Sequence, residues 1–358
     1  MSEEEIARLR REIDALDDAL LETLNRRAAL ARRIGELKGQ ASAYRPERES
    51  EVLRRIAAVN PGPLPSERVS AVFREIVSAC RAMEAVLRVA YLGPEGTFSE
   101  QAVERHFGRA VQALPEASID EVFRGVEAGR ADFAIVPVEN STEGMVGRTL
   151  DLLLASPLRI CGEVELRIRQ NLFARTESLA EIARVYSHAQ SLAQCRDWLA
   201  RHLPRAERIP VASNAEAARR AATEPGAAAI AGAAAGERHG LRRVAAGIED
   251  DANNTTRFLV LGRLAPAPTG RDRTSLAVSA ENRPGALHAL LAPFAEHGIS
   301  MTRIESRPAH LRSALWEYVF FIDIEGHERD AVVASALAAL RTRAPFLRVL
   351  GSYPIATD

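Results

Sequence analysis

Two arrangements in this 358-residue chain could do chemistry: hydroxyls and amides set at the ends of apolar runs, and cations set into apolar helical seams. The densest of the first kind is Asn253-Asn254-Thr255-Thr256-Arg257-Phe258, which runs directly into Leu259-Val260-Leu261. Burying amides, hydroxyls and a guanidinium against a strand demands a partner for each. The run therefore reads either as a turn entering a strand or as a site at a strand edge. Three other segments share its form. Val89-Ala90-Tyr91-Leu92 leads into Gly93-Pro94-Glu95-Gly96-Thr97-Phe98-Ser99, and Phe133-Ala134-Ile135-Val136-Pro137 into Glu139-Asn140-Ser141-Thr142-Glu143-Gly144. Val185-Tyr186-Ser187 leads into His188-Ala189-Gln190-Ser191. Ligands of open α/β sheets bind beyond the carboxyl ends of strands, where helix N-termini offer free amides to anions. Taken singly, a Ser or Thr there is a helix cap and His188 a structural histidine; taken together, the four segments read as the walls of a cleft.

The second kind lies near the N-terminus. Ile6, Leu9, Ile13, Leu16, Leu20, Leu24, Arg27, Ala31, Ile34 and Lys38 recur at steps of three or four, one seam on one long helix. A second helix is expected from Pro46, with Arg48 and Glu49 one turn before the stripe Val52, Leu53, Ile56. A third follows Ser66, read as its cap, through Val69, Val72, Phe73, Ile76, Val77, Cys80 and Leu87, interrupted by Glu84. Any one of these charges can snorkel out or pair across helices. Together, Arg27, Lys38 and Arg48 with Glu49 and Glu84 describe a cationic pocket suited to a small dicarboxylate that carries hydroxyl or ether oxygens. A first helix on the order of 50 Å long cannot bury its seam within one small domain, so dimerisation is expected.

The elements that would position these groups fall into three units. Asn60-Pro61-Gly62-Pro63-Leu64-Pro65 interrupts the helical region, and Ala265-Pro266-Ala267-Pro268-Thr269-Gly270 reads as a linker. The expected units are an all-α region at 1–88, an α/β region at 89–265 and an α+β region at 272–352. The last is read as βαββαβ: a strand at 275–279, a helix opened by Pro284-Gly285 and running through His297, and a strand from Ile299 to Ser306. Trp316, Tyr318, Phe320 and Ile322 alternate on the next strand, before a helix from Asp330 and a strand near Phe346. That order is ferredoxin-like, a module that serves dimerisation as readily as ligand binding.

The formal net charge of −1 favours small molecules over nucleic acid or an anionic membrane. No apolar run approaches membrane-spanning length, and the acidic start lacks the pattern of a secretion signal or mitochondrial presequence. Cys80, Cys161 and Cys195 are odd in number and lack metal spacing, so reduced thiols in a cytoplasmic protein without a metal are expected.

The order and spacing of Gly-Pro-Glu-Gly-Thr-Phe-Ser, Val-Pro-Val-Glu-Asn-Ser, Tyr-Ser-His-Ala-Gln and Asn-Thr-Thr-Arg-Phe resemble the prephenate dehydratase family across 89–262. The resemblance implies two α/β lobes like those of a periplasmic binding protein, with prephenate in the cleft between them. It assigns Thr256 as the essential hydroxyl at the leaving group and Arg257 as the partner of a carboxylate, with a relay through Ser187 or His188. Thr97, Ser99, Asn140, Ser141 and Gln190 would be further substrate contacts. Residues 1–88 resemble the all-helical chorismate mutases, whose substrate contacts correspond to Arg10, Arg27, Lys38, Arg48, Glu49, Cys80 and Glu84. In that family the long helices of a dimer each lend an arginine to the partner's pocket, a role for Arg10, and Lys38 and Glu84 would stabilise charge on the ether oxygen. Some members carry Asp where this chain has Arg45 and Gln where it has Glu84. Gly285-Ala286-Leu287 and Glu305-Ser306-Arg307-Pro308 resemble the phenylalanine-binding motifs of the regulatory ACT domain; His288 has no assigned role.

The resemblances imply an enzyme of phenylalanine biosynthesis that needs neither cofactor nor metal. It would act on chorismate and prephenate, answer to L-phenylalanine, and form a homodimer or higher oligomer. Two other readings stay open on sequence: a phenylalanine-sensing binding protein without catalysis, which absence of any product would favour and the intact Thr256 argues against, and a dehydratase whose N-terminal helices are only a coil, which turnover of prephenate but not of chorismate would favour.

Overall fold

The computed structural model describes residues 3–39, 42–280, 283–308 and 318–356. Trp316, expected on a strand, lies outside them. Three helices come first: α1 (Glu3–Lys38), α2 (Pro46–Val59) and α3 (Ser66–Ala82). Helix α1 carries glutamates in its first turn and Lys38 in its last, charges that complement the helix dipole. It has no buried residue: Ile13, Leu16, Leu20 and Leu30 of the seam side and its flank are all more than half exposed. Ser66 does not cap α3. It is the first residue of the helix, after Pro65, and its hydroxyl donates to the Ala57 carbonyl (3.3 Å), closing the α2–α3 turn instead.

The next region holds two sheets, called here the first and second lobe. The first contains β1 (Arg88–Leu92), α4 (Phe98–Phe107), β2 (Gln112–Glu116), α5 (Ile119–Glu127), β3 (Phe133–Asn140), β4 (Gly144–Met145), α6 (Gly147–Ala155) and β5 (Arg159–Arg167). The chain then crosses to the second, with β6 (Asn171–Ala174), β7 (Arg184–His188), α7 (Ala189–Gln194), α8 (Arg196–His202) and β8 (Glu207–Val211). There follow α9 (Asn214–Thr223), β9 (Ala227–Ala231), α10 (Ala233–Arg238) and β10 (Arg242–Ala245). Strand β11 (Thr255–Gly262) returns to the first lobe and inserts between β3 and β5, giving the order β2-β1-β3-β11-β5; the second lobe runs β10-β6-β9-β7-β8. The two crossings pair with each other, Ile168 N donating to Asn254 O (2.8 Å) and Ile248 N to Gln170 O (2.9 Å). Ser118 caps α5 and Ser213 caps α9 by accepting from the amides of Glu121 and Glu216.

The last region is β12 (Asp272–Ala280), α11 (Ala286–Glu296), β13 (Met301–Pro308), β14 (Tyr318–Glu325), α12 (Ala331–Arg343) and β15 (Phe346–Pro354), the βαββαβ order read from the sequence. Its antiparallel sheet, β13-β14-β12-β15, is covered by α11 and α12 on one face. The other face packs on the first lobe: Ala277, Val319, Phe321, Leu350 and Tyr353 share one core with Leu150, Leu153, Ile160 and Leu259. Burying side chains of this size stabilises by about 1.5–3 kcal/mol each, so the two domains form one joint core. Gly351 sits where β15 meets β5, and a side chain there would strike the Ile160 carbonyl.

Tyr44, in the connection after α1, fixes the helices to the first lobe. It is 1% exposed, its ring 5.0 Å from Phe107 and 4.9 Å from Phe133, and its hydroxyl is 2.5 Å from His106 Nε2. Burial, with the charges of Arg74 and Arg81, lowers the His106 pKa to about 3, so the folded ring stays neutral. Below the ordinary value of 6.5 the unfolded chain takes up a proton that the folded chain refuses, so stability is lost as pH falls. The expected loss is up to about 1.4 kcal/mol per pH unit. The gap in urea midpoint between the wild type and His106→Asn should therefore narrow from pH 6.5 to 4.5. A gap independent of pH would contradict a buried neutral imidazole.

Candidate active sites

The helical cations and carboxylates converge as their spacing predicts. Arg27, Lys38, Arg48, Glu49, Cys80 and Glu84 all line one cavity of about 860 Å³ bounded by α1, α2 and α3. Lys38 Nζ donates to Glu84 Oε2 at 3.3 Å, so the last turn of α1 and the end of α3 face each other across it. Gly35 allows that approach, since a side chain there would press on the Glu84 side chain. Arg10 is not among the lining residues. It stands 17 residues before Arg27, the first residue of α1 to line the cavity, about 26 Å along the helix at 1.5 Å per residue, and cannot reach the cavity of its own chain. Arg45 is turned to Glu47, at 2.6 Å.

Arg81 escaped the sequence reading. It is 4% exposed, pairs with Glu49 Oε1 at 2.5 Å and donates to the Phe107 carbonyl at 2.6 Å. Burial pushes the Glu49 carboxyl up, and Arg81 pulls it back part of the way. Its signal was a cation directly after the buried Cys80 and one turn before Glu84, hidden because it falls beside the seam rather than on it.

In the first lobe Asn140, Ser141 and Thr256 come together, because Thr256 is the cross-strand partner of Asn140. Asn140 Oδ1 accepts from the backbone amides of Thr142 (3.0 Å) and Glu143 (3.1 Å), which identifies the oxygen end of that side chain. Its Nδ2 therefore donates, to Asn254 Oδ1 at 2.8 Å and to Thr256 Oγ1 at 2.9 Å. Thr256 Oγ1 is an acceptor in that bond, so its own O–H points elsewhere, and accepting a hydrogen bond makes it a stronger donor. Ser141 Oγ accepts from the Thr255 amide, at 3.0 Å.

In the second lobe Ser187, His188 and Ser191 gather around Asn214, whose Oδ1 accepts from the Ser187 hydroxyl (2.9 Å) and the His188 amide (3.0 Å) and whose Nδ2 donates to the Ser191 hydroxyl (2.9 Å). His188 Nδ1 accepts from the Gln190 amide (3.4 Å), which leaves Nε2 to carry the proton of the neutral ring. Asn214 was missed, although the run Ile209-Pro210-Val211 followed by Ser213-Asn214 has the same form as the four runs singled out.

Several expected contacts have other employment. The Ser187 hydroxyl is fully buried and its single proton lies between Asn214 Oδ1 and the Ile230 carbonyl (2.8 Å), so it has nothing to pass to Thr256. Thr97 caps α4: its hydroxyl accepts from the Glu100 amide and donates to the Leu92 carbonyl (3.2 Å). Ser99, next to it, is 7% exposed. The neighbouring Gly96, Phe98 and Gln101 meet Ala235 and Gly232 of the second lobe, so this helix start lies at the junction of the lobes.

Arg257 is the largest correction. Side chains alternate along β11, and its guanidinium lies buried against the third domain, 8% exposed, not with the Thr256 hydroxyl. Nε donates to Glu163 (2.8 Å), Nη1 to Asp323 (2.6 Å) and Nη2 to the Tyr353 hydroxyl (3.0 Å). Burial works against its charge, and Tyr353, Asp323 and Glu163 outweigh burial, so its pKa stands raised. Asp323 also accepts from Ser275 (2.5 Å) and faces Arg303 (3.7 Å), which reaches Glu139 (3.4 Å); Glu163 is shared with Arg273.

In the third domain Gly285 caps α11 with a φ of 75°, a left-handed conformation that favours glycine, and Ala286 and Leu287 open the helix. Along β13, Ser306 pairs with Phe320 on the helix-covered face, whereas Glu305 pairs with Phe321 and Arg307 with Val319 on the face that meets the first lobe. Arg307 accordingly binds Asp151 of α6 (3.3 Å) instead of sharing a pocket with Ser306. Among the described residues no cluster of three or more His, Cys, Asp or Glu could hold a metal, and no helix is long and apolar enough to cross a membrane.

Comparison with known proteins divides the chain along the same chemistry. Residues 9–85 match the family described as chorismate mutase type II, residues 89–266 prephenate dehydratase, and residues 274–342 the ACT domain. The bifunctional chorismate mutase/prephenate dehydratase of Neisseria gonorrhoeae is 56% identical over 97% of this chain and 96% of its own. The protein of the same description from Pseudomonas aeruginosa is 50% identical over 98% of each. Among solved structures, the prephenate dehydratase of Arthrobacter aurescens in complex with L-Phe is 39% identical, with a TM-score of 0.69 over 75% of this chain and 90% of that one.

Proposed function

This chain belongs to the family of bifunctional chorismate mutase/prephenate dehydratases, and from that premise we propose how its residues divide the work. It is an enzyme of two activities: it rearranges chorismate to prephenate, and it converts prephenate to phenylpyruvate. The mutase reaction is assigned to residues 1–88, the dehydratase to 89–265, and regulation by L-phenylalanine to 272–352.

The mutase step breaks an ether C–O bond and forms a C–C bond within one molecule, with no proton transferred. Its needs are a reactive conformer and charge stabilisation at the ether oxygen. Arg27 and Arg48 suit the two carboxylates, and Lys38, with one N–H toward Glu84, keeps others for the ether oxygen. Arg10, too far along α1 for its own cavity, suits the cavity of a second copy, and the exposed apolar seam of α1 supports a homodimer. Glu84 is assigned to the ether oxygen beside Lys38. Glu84→Ala is expected to lower mutase kcat and leave dehydratase kcat unchanged; an unaltered mutase kcat would refute the role.

In the dehydratase step the C–CO₂ electrons enter the ring, the ring C–O bond breaks with its pair on oxygen, and carbon dioxide and hydroxide depart. The Thr256 hydroxyl, freed to donate by the Asn140 amide, is assigned to the leaving oxygen. That hydrogen bond is the observation that carries the reading. The two lobes are read as the walls of the prephenate cleft, with Ser99, Ser141, His188 and Gln190 around it.

Phenylalanine is assigned to the Gly285 start of α11 and Ser306, at an interface of paired third domains. Titrating L-phenylalanine should lower dehydratase turnover and leave mutase turnover unchanged. Dehydratase turnover indifferent to phenylalanine would remove the regulatory assignment.

A further inference from the structure

Asn254 is 1% exposed, yet among the described residues its side-chain Nδ2 has no hydrogen-bond partner. Leaving a buried amide donor unpaired costs about 1–3 kcal/mol, and the rest of the residue is fully engaged. Its backbone carbonyl accepts from Ile168 at the crossing between the lobes, its amide meets the Asp251 carbonyl (3.3 Å), and its Oδ1 takes one N–H of Asn140. That last bond orients the amide, since an acceptor toward Asn140 fixes Nδ2 as the free end. The other N–H of Asn140 goes to Thr256 Oγ1. The two hydrogens of one planar amide diverge by about 120°, so Asn254 Oδ1 and Thr256 Oγ1 stand about 5 Å apart. Two free donors result, held by one nitrogen: the Thr256 O–H and the Asn254 N–H. Asn254 Nδ2 shares its amide carbon with Oδ1, so both free donors belong to groups held by the Asn140 nitrogen.

We propose that Asn254 is a further catalytic residue of the dehydratase, its Nδ2 giving the leaving oxygen of prephenate a second hydrogen bond beside that of Thr256. The inference rests on the dehydratase reading of Thr256. An oxygen departing with an electron pair gains negative charge as the C–O bond breaks, so a fixed second donor acts most strongly in the transition state. The buried donor is unsatisfied in the ligand-free chain because its partner arrives with the substrate.

Asn254→Asp separates this role from simple support of Asn140. The aspartate keeps, and strengthens, the acceptor toward Asn140 but has no N–H to give. At neutral pH dehydratase kcat should fall about a hundredfold, the loss typical of one oxyanion donor, with KM within about threefold and mutase kcat unchanged. Part of the activity should return as pH falls and the new carboxyl becomes an O–H donor. Asn254→Ala, which adds no charge, should lose at least as much kcat as Asn254→Asp. Wild-type kcat in folded Asn254→Asp with an unaltered pH profile overturns the proposal. Should that variant fail to fold, kcat within threefold of wild type in Asn254→Ala does the same. A wild-type chain that leaves prephenate untouched would refute the dehydratase reading, whereas active wild type with indifferent variants refutes only the role of Asn254.

Discussion

Thr256→Ala is expected to lower dehydratase kcat by about a thousandfold or more while chorismate is rearranged at the wild-type rate. The size follows from what is lost: a hydroxyl that accepts from the Asn140 amide and is thereby turned to give a strong hydrogen bond to an oxygen leaving with a negative charge. The selectivity follows from placement, because Thr256 is on β11 of the first lobe and the mutase cavity is bounded by α1, α2 and α3. Thr256→Val sharpens the experiment. Valine keeps the branched shape that suits a strand, so a loss of activity there reports the hydroxyl and not the packing. Thr256→Ser, which restores the donor, should recover part of the rate. Equal loss of both activities in Thr256→Ala would mean a general failure of folding and would remove Thr256 from the leaving group.

The second large effect concerns stability. Arg257→Ala should destabilise the joint core of the dehydratase and third domains by about 3–5 kcal/mol, the usual consequence of breaking a buried ion pair from one side. Glu163 and Asp323 lose their closest shared cation, and the Tyr353 hydroxyl loses a donor, all behind the sheet where water is excluded. Arg257→Lys should recover little, since an ammonium cannot span three acceptors that the planar fork reaches at once. Chemical denaturation read by tryptophan-independent circular dichroism would measure it. A residue that merely oriented a substrate carboxylate would behave oppositely, with KM raised and the unfolding midpoint unmoved.

The contrast between Thr256 and Arg257 also explains what the sequence made legible. Periodicity located the helical seams because i, i+3 and i+4 neighbours are local, and so Arg27, Lys38, Arg48, Glu49 and Glu84 were expected in one pocket and line one cavity. Strand ends were legible for the same reason. The partners of Arg257 were not: Asp323 and Tyr353 are 66 and 96 residues away on strands of another domain, and no local pattern couples them. Alternation along β11 does predict that Thr256 and Arg257 face opposite ways; their adjacency in one motif obscured it. Ser187 misled similarly. A serine at the end of an apolar run reads as a ligand contact, and only the Asn214 side chain and the Ile230 carbonyl reveal a buried brace. Asn254 was visible as a letter in the polar run, but its unpaired donor emerges only when every neighbour is counted.

The central claim is that one chain holds two working sites in succession. The most direct measurement is a time course with chorismate as the sole substrate and no other enzyme, following prephenate and phenylpyruvate together. Prephenate should rise first and then decline while phenylpyruvate climbs toward the amount of chorismate consumed. Chorismate left unchanged, or a reaction that halts at prephenate, would contradict it.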